Sequence, residues 1–356
     1  MIGLWPLVCG ADFPSPPAPS CEKIREKSMK RLLVVLFALL ACAPAWAGKK
    51  PLYTYFRVGN PNDIVTAVSP GIVLMGGGTD VDAAFQWMCD KAGNGDFLVI
   101  RATGTDAYNP YIQDLCPSAN SVATLIIPSA AAANDPTVAA TIQNAEAIWI
   151  AGGDQSNYIN FWTGTQVQAK LNARIGAGVP VGGTSAGLNV LTQFIYSADA
   201  PQGATSSQAL ADPFNRYMTF ARDFATLPIL NGIIGDPHFV TRDRMGRELA
   251  FMCRVATNNW SSTPRGIAVD EQTALLIDGG VVTVVGNSTA YFLRAPGPAQ
   301  VCSANTPLTY LNVTVQRIAF GGTFNLSNWT ATGATNYSVS ANAGVLSSTQ
   351  SGGSAY

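Results

Sequence analysis

The sequence predicts an α/β fold with a mostly parallel central sheet, on the basis of three observations. Short apolar segments alternate with helix-like stretches along much of the 356-residue chain. Continuous apolar runs of this kind are typical of strands in a parallel sheet that helices cover on both faces. From about residue 268 the pattern changes to closely spaced β-type segments, which predict an antiparallel extension of the same sheet.

Each element is predicted from a local pattern. Apolar runs predict six strands, at residues 71–75, 97–101, 124–127, 147–151, 180–182 and 233–235. Helix-like runs lie at residues 81–91, 136–144, 166–175, 186–195 and 241–256. Asp135 and Pro136 supply a cap and a first-turn proline for the second helix. Later strands are predicted at residues 273–277, 281–286, 289–294 and 308–320, and residues 331–356 are predicted as a small β tail or a mobile segment.

A secretory leader is predicted at residues 1–47, with the signal peptide at 29–47. Basic residues at 30–31 precede an apolar run and an Ala-x-Ala exit at 45–47, as in bacterial signal peptides. Residues 1–28 carry no such pattern and are interpreted as an upstream start. The apolar run is too short to span a bilayer, so we expect no stable membrane insertion and a mature chain that begins near Gly48.

Cysteine usage supports a destination outside the cytoplasm. The cysteines beyond the leader are Cys89, Cys116, Cys253 and Cys302. This even number suits two disulfides, and the sequence leaves their pairing open. A lipoprotein-like alternative, with a lipid anchor on Cys42, remains beside the secreted form.

Composition and spacing disfavour several classes of partner. The leader carries five basic and three acidic residues, so its removal changes the net charge from −1 to about −3 and disfavours nucleic acid. The chain has one histidine and no C-x-x-C spacing, so no metal is expected. No G-x-G-x-x-G follows Gly76-Gly77-Gly78, which is interpreted as an ordinary turn, and no cofactor is predicted. We divide the chain into the leader, an α/β domain at 48–300 and a β-rich extension at 301–356, and leave open whether it forms a homodimer.

The most specific motif is G-T-S-A-G at residues 183–187. It follows a short apolar strand and opens a helix-like run, which is the strand–turn–helix context of a nucleophile elbow. Ser185 is therefore the candidate nucleophile. One oxyanion donor would be the backbone N–H of Ala186, and the second is assigned to Gly153, which ends a neighbouring strand and has no side chain in the way.

A serine nucleophile needs a base, and His238 is the single histidine of the chain. It follows the strand predicted at 233–235, at a position typical of catalytic groups in α/β sheets. Three carboxylates are candidates for the acid that orients it. Glu271 is the first choice, because it ends an apolar run at 266–269, and Asp199 and Asp236 are the alternatives.

Four ordered blocks resemble the cyanophycinase and peptidase E family of serine peptidases. They are G-G-D-Q at 152–155, G-T-S-A-G at 183–187, D-P-H-F-V-T-R-D-R-M-G-R at 236–247 and G-I-A-V-D-E-Q-T at 266–273. The resemblance covers about residues 70–295. It implies a three-layer sandwich like that of class I glutamine amidotransferases and flavodoxin. It also implies a triad of Ser185, His238 and Glu271, with Asp199 matching the peptidase E branch.

The resemblance further implies a substrate. Cyanophycinases cleave cyanophycin, a poly-aspartate with arginine on each β-carboxyl, to β-Asp-Arg dipeptides. The family's substrate contacts fall on Gln155, Asp236, Arg242, Arg244 and Arg247. Guanidinium groups bind carboxylates bidentately, and a carboxylate can bind the substrate's arginine, so these residue types suit that substrate.

Two alternatives to cyanophycin hydrolysis stay open. The family commonly has Gln before the histidine, where this chain has Pro237, which lacks both the side-chain amide and a backbone N–H. This difference favours a hydrolase of other β-aspartyl, isoaspartyl or acidic peptides with the same fold. A non-catalytic binding protein is the third hypothesis.

Overall fold

Two β-sheets form the centre of the fold. A computed structural model describes residues 51–356, which form one unit by their internal contacts. The described strands are, in chain order, β1 (Thr54–Gly59), β2 (Ile72–Met75), β3 (Asp96–Arg101), β4 (Ser121–Ile126), β5 (Ala147–Ile150), β6 (Val181–Thr184), β7 (Phe194–Tyr196), β8 (Phe220–Arg222), β9 (Ile233–Pro237), β10 (Arg265–Val269), β11 (Thr273–Asp278), β12 (Val281–Gly286), β13 (Thr289–Arg294), β14 (Tyr310–Ala319), β15 (Thr323–Asn325), β16 (Thr330–Thr332), β17 (Thr335–Asn342) and β18 (Val345–Ser348).

Nine α-helices lie between the described strands. They are α1 (Asp82–Lys91), α2 (Tyr108–Leu115), α3 (Ala130–Ala133), α4 (Pro136–Gln143), α5 (Gln155–Trp162), α6 (Gln166–Gly176), α7 (Ala186–Leu191), α8 (Ser206–Ala211) and α9 (Met245–Thr257). The predicted start of α4 is confirmed, since the Asp135 side chain accepts a hydrogen bond from the N–H of Thr137 and Pro136 occupies the first turn.

The first sheet has ten strands in the order β1-β4-β3-β5-β6-β2-β11-β12-β15-β16. Its five central strands, from β4 to β2, are parallel, and the outer pairs are antiparallel. All four residues of β2, β5 and β6 are buried, as the continuous apolar runs predict. The mixed α/β class is therefore confirmed.

The second sheet has eight strands in the order β18-β17-β14-β13-β10-β9-β7-β8. The parallel strands β7, β9 and β10 lie at one side of it, and β13, β14, β17 and β18 add to it in antiparallel fashion. The expectation of one extended sheet is wrong, because the later strands divide between two sheets. Alternating burial along β14 and β17 shows that each covers the core with one face only, a pattern that does not specify which sheet the strand joins.

Two predicted helices have different limits in the structure. The helix after Ser185 ends at Leu191, and the rest of that apolar run forms β7. The helix predicted from residue 241 begins at Met245, because residues 241–244 form a turn. Residues 245–253 of α9 are all buried, so it is a core helix and not the amphipathic surface helix that its arginines suggest.

Two disulfides join cysteines that lie close along the chain. Cys89 on α1 is bonded to Cys116 at the end of α2, and Cys253 on α9 is bonded to Cys302. The expectation of two disulfides is thus confirmed. The predicted leader, with Cys42, lies outside the described residues. In residues 51–356 no helix is long and apolar enough to cross a membrane.

Candidate active site

Ser185 lies on a sharp turn between β6 and α7. Its backbone has φ 54° and ψ −113°, a conformation that costs a non-glycine residue free energy and is typical of a nucleophile elbow. A side chain at Gly183 would collide with the backbone of Gly187, and one at Gly187 would collide with the carbonyl of Ile150. The two glycines of the motif are therefore required by close backbone approach.

A continuous hydrogen-bond chain joins the three residues of the predicted triad. The Ser185 Oγ lies 2.7 Å from the His238 Nε2, and the His238 Nδ1 lies 2.6 Å from the Glu271 Oε1. Because a carboxylate only accepts, Glu271 fixes the tautomer with the proton on Nδ1, which leaves Nε2 free to accept from the serine hydroxyl. This arrangement can transfer the serine proton to the imidazole.

His238 is 6% exposed, and its environment favours the neutral ring. Burial lowers its pKa from the usual 6.5; the hydrogen bond to Glu271 opposes this effect, and the positive charge of Arg242 adds to it. The net shift is downward. The imidazole can therefore accept a proton at neutral pH.

The glycine run Gly76–Gly78 after β2 holds this histidine and its partner. A side chain at Gly77 would collide with the His238 ring, and one at Gly78 would come within 2.9 Å of the Glu271 Cβ. Gly77 and Gly78 have φ of 100° and 73°, which glycine adopts without strain. The sequence analysis missed this role and took the run for an ordinary turn. Its only local signal is three glycines directly after a buried strand.

A loop rich in arginine, residues 239–244, follows His238; we call it the arginine loop. Asp270 fixes its first half, since its carboxylate accepts from the N–H groups of Val240 and Thr241 at 3.0 Å each, and from the Ser288 hydroxyl at 2.9 Å. Burial would raise the pKa of Asp270, but the hydrogen bonds, first that from the Thr241 backbone, lower it below its ordinary value. Sequence analysis had given Asp270 no role.

An open cavity of about 280 Å³ lies over the serine. Its lining is mainly polar and includes Gly153, Gln155, Ser185, His238, Arg242 and Arg244. A larger apolar cavity of about 350 Å³, at the opposite ends of β2 and β6, has no titratable residue in its lining. The polar cavity is thus the one that combines a nucleophile, a base and cationic side chains.

Asp236 and Arg247, both predicted as substrate contacts, are bonded to each other, and Arg247 also lines the cavity. Asp236 is fully buried, and its carboxylate accepts from Arg247 through both Nε, at 2.8 Å, and Nη2. The remaining Nη1 of Arg247 donates to the Ala204 carbonyl at 3.2 Å, and its guanidinium carbon lies 5.0 Å from the ring centroid of Tyr196 and 5.3 Å from that of Phe251. Both groups therefore already have bonding partners within the protein.

Arg242 and Arg244, two more predicted contacts, also line the cavity. Arg242 has a 54% exposed side chain and lies 3.7 Å from the Glu271 carboxylate. Arg244 donates through Nη1 to the Pro237 carbonyl at 2.7 Å and to Asp236 at 3.2 Å. Burial lowers the pKa of Arg244 to about 10, so it remains cationic at neutral pH. Pro237 thus lacks an N–H donor but orients an arginine through its carbonyl group.

The structure also shows where four further predicted residues lie. Gln155 opens α5, and its amide lies 3.3 Å from the Tyr196 carbonyl. Ala186 is the first residue of α7, and Gly153 lines the cavity together with Ser185. Asp199 is exposed and accepts from Asn160 at 3.3 Å, whereas the described contact of the His238 Nδ1 is with Glu271. In residues 51–356 no group of three or more His, Cys, Asp or Glu side chains is arranged to hold a metal ion.

A comparison with protein-family models identifies the family of the chain. The model described as Peptidase family S51 matches residues 72–285, more than half of the chain. The chain belongs to peptidase family S51. All three residues of the Ser185–His238–Glu271 chain lie within the matched segment of this S51 member.

The chain is also similar to curated proteins and to solved structures. The cyanophycinases of Trichormus variabilis and Nostoc sp. are each 27% identical over 200 residues, and that of Geminocystis herdmanii is 27% identical over 192 residues. The first two matches cover 53% of this chain and 60% of the relative, and the third covers 52% and 64%. The chain therefore spans less than two thirds of the length of these relatives. One similar solved structure is a peptidase from an acI-B1 Actinobacterium, with a TM-score of 0.47 and 15% identity; the match covers 73% of this chain and 98% of that one. Another is a putative peptidase E protein from Listeria monocytogenes, with a TM-score of 0.40 and 13% identity; the match covers 62% of this chain and 99% of that one.

Proposed function

We propose that this chain is a serine peptidase that acts through an acyl-enzyme. The observation that carries the proposal is the hydrogen-bond chain from Ser185 through His238 to Glu271, located at a nucleophile elbow. Serine is a poor nucleophile until a base removes its proton, and this arrangement supplies the base and a carboxylate that orients it.

The reaction proceeds in two halves. The Ser185 Oγ attacks the scissile carbonyl while the His238 Nε2 accepts its proton, and the imidazolium then protonates the leaving amine as the C–N bond breaks. Water attacks the resulting ester with His238 again as base, and the protonated serine leaves. The backbone N–H groups of Ala186 and Gly153 are proposed to stabilise the oxyanion, which in other enzymes contributes about 3 kcal/mol per donor.

The proposed substrate is cyanophycin or a related β-aspartyl peptide. The cationic character of the cavity supports this proposal. Arg244 uses only its Nη1 to bind Asp236 and Pro237, and the Arg242 side chain is exposed, so both arginines have N–H groups that can bind a substrate. Guanidinium groups bind carboxylates bidentately, and an arginine that is joined through its amino group to an aspartate β-carboxyl keeps its own carboxylate free. The names of the curated relatives agree with this substrate class.

A second candidate is an S51 hydrolase of other acidic or isoaspartyl peptides. Pro237 favours it, because a proline in β9 cannot donate a backbone hydrogen bond to substrate beside His238. The two candidates share their chemistry and differ in the group that the cavity accepts.

Two measurements test the proposal. A fluorophosphonate probe should label the parent protein and not Ser185→Ala; absence of labelling in the parent would favour a non-catalytic binding protein. Mass spectrometry of cyanophycin digests should then show β-Asp-Arg dipeptides, and their absence together with cleavage of isoaspartyl peptides would favour the second candidate. Ser185→Ala and His238→Ala should each lower kcat by several orders of magnitude, with little further loss in the double variant.

We also propose that the mature protein begins near Gly48 and acts outside the cytoplasm, with an α/β domain to residue 300 and an extension beyond it. The two disulfides support this compartment. N-terminal sequencing and thiol titration of the exported protein should show a start near Gly48 and no free thiol. A lipid-modified Cys42 at the N-terminus would support the anchored form instead.

A further inference from the structure

Backbone hydrogen bonds cross the arginine loop, residues 239–244. The N–H of Arg242 donates to the His238 carbonyl at 3.1 Å, and the N–H of Arg244 donates to the Phe239 carbonyl at 2.9 Å. Asp270 binds the first half of the loop. In the second half, which carries Arg244 to the start of α9, the N–H of Asp243 donates to the Val240 carbonyl at 3.0 Å, and the Asp243 carbonyl accepts from the Ser206 hydroxyl at 2.5 Å.

A further support of this half, from a distant part of the chain, is the hydroxyl of Tyr356. This hydroxyl accepts from the N–H of Met245 at 2.8 Å and donates to the Asp243 carboxylate at 2.8 Å. Met245 is the first residue of α9, where backbone N–H groups have no partner inside the helix, and Arg244 at the N-cap makes no side-chain capping bond. Asp243 has φ 48°, a strained conformation for a non-glycine residue. One hydroxyl therefore caps the helix and secures a strained loop residue.

The ring of Tyr356 is seated on the same element. It contacts Phe239 edge-on, with ring centroids 5.6 Å apart, and Tyr291 of β13 at 6.2 Å. Burial raises the pKa of Tyr356, as does its hydrogen bond to Asp243, so the hydroxyl stays protonated and able to donate. The ring packs against Phe239 and Tyr291, and the hydroxyl makes the hydrogen bonds to Met245 and Asp243. A substitution that removes only the hydroxyl therefore separates the two contributions.

We propose that Tyr356 is a positioning residue that holds the second half of the arginine loop, and with it Arg244, against the cavity. Tyr356 lies beyond the segment matched by the family model, residues 72–285, so this support comes from another part of the chain. The effect on substrate affinity rests on the proposed function, whereas the effect on loop order does not.

The experiment compares Tyr356→Phe, which keeps the ring, with Tyr310→Phe as a control. Tyr310 is another buried tyrosine whose hydroxyl donates to a carbonyl, that of Gly297, outside the arginine loop. Trypsin nicking after Arg242, followed by mass spectrometry, reports loop opening without any substrate. Loss of hydrogen bonds worth about 1 kcal/mol should speed nicking of Tyr356→Phe at least about fivefold over the parent and the control.

Kinetics with cyanophycin supply the second measurement. Tyr356→Phe should raise KM about fivefold and change kcat less than about twofold, with unchanged fluorophosphonate labelling of Ser185. Nicking equal to that of Tyr310→Phe would overturn the proposal, as would a parallel fall in kcat and labelling. If the parent is labelled but does not cleave cyanophycin, the proposed substrate fails, and nicking alone decides the role of Tyr356.

Discussion

Replacement of Arg247 by glutamine separates a structural role from substrate binding. The guanidinium makes a bidentate contact with the fully buried Asp236, and its own side chain is only 5% exposed. Burial alone would lower the pKa of Arg247, but the neighbouring Asp236 raises it above the ordinary value. The substitution would therefore leave a buried carboxylate without its main partner, so we expect loss of stability as well as of activity.

The magnitude follows from the contacts that remain. Removing one partner of a buried ion pair typically costs 3–5 kcal/mol, and we expect about 3 kcal/mol because Arg244 stays 3.2 Å from Asp236. Glu248 adds little repulsion, since burial and then Asp236 raise the pKa of its carboxyl well above the ordinary value and favour its neutral form. At roughly 2–4 °C per kcal/mol for a domain of a few hundred residues, Tm should fall by at least about 6 °C.

Thermal unfolding and peptidase activity should be measured on the same samples. Arg242→Gln is the matched control, because its exposed side chain makes no buried pair; we expect it to lose activity and keep its Tm. The double variant Asp236→Asn with Arg247→Gln should recover part of the stability, since it removes both buried charges. Loss of activity in Arg247→Gln with an unchanged Tm would refute the reasoning and return Arg247 to direct substrate binding.

Three further predictions concern the triad and the turn that holds it. Glu271→Gln should lower kcat by up to about 10⁴-fold, as loss of the orienting carboxylate does in other triads, and Asp199→Asn should leave kcat near that of the parent; the reverse result would identify Asp199 as the acid. Because burial lowers the pKa of His238 below 6.5, kcat/KM should stay level as the pH falls through 6.5 and decline only at lower pH, and an acid limb above 6.5 would contradict this assignment. Gly77→Ala should displace the His238 ring and lower kcat/KM about 100-fold, whereas Gly164→Ala, also at positive φ but with open space around it, should lose only stability; equal kinetics in the two variants would refute the steric argument.

Local patterns predicted the elements that bear the nucleophile. The apolar runs at β2, β5, β6 and β9 appear as strands because a strand buried on both faces must be apolar throughout. The G-T-S-A-G motif predicted the elbow because the turn needs glycines where the backbone approaches closely, and these positions lie within five consecutive residues. Short-range constraints of this kind are visible in the sequence.

Contacts between distant segments could not be predicted from the sequence. Gly77 and His238 are far apart along the chain, and nothing in a run of glycines indicates which ring it must accommodate. The arginines at 242, 244 and 247 look equivalent in sequence, but the structure buries Arg247 against Asp236 and leaves Arg242 exposed. The division of the later strands between two sheets depends likewise on tertiary packing and not on residue type.

The strained residues of the site share one physical feature. Ser185, His238 and Asp243 all have φ near 50°, which costs roughly 1–3 kcal/mol each for residues with a side chain. Each makes a hydrogen bond to a distant segment: the Ser185 N–H to Met75, the His238 N–H to Gly76, and the Asp243 carboxylate to Tyr356. Since the last residue of β2 and the residue after it supply two of these acceptors, the position of β2 sets the serine and the histidine together. The 2.7 Å contact between them is thus set by backbone contacts within the protein itself, which is the kind of fixed geometry that lowers the entropic cost of reaction.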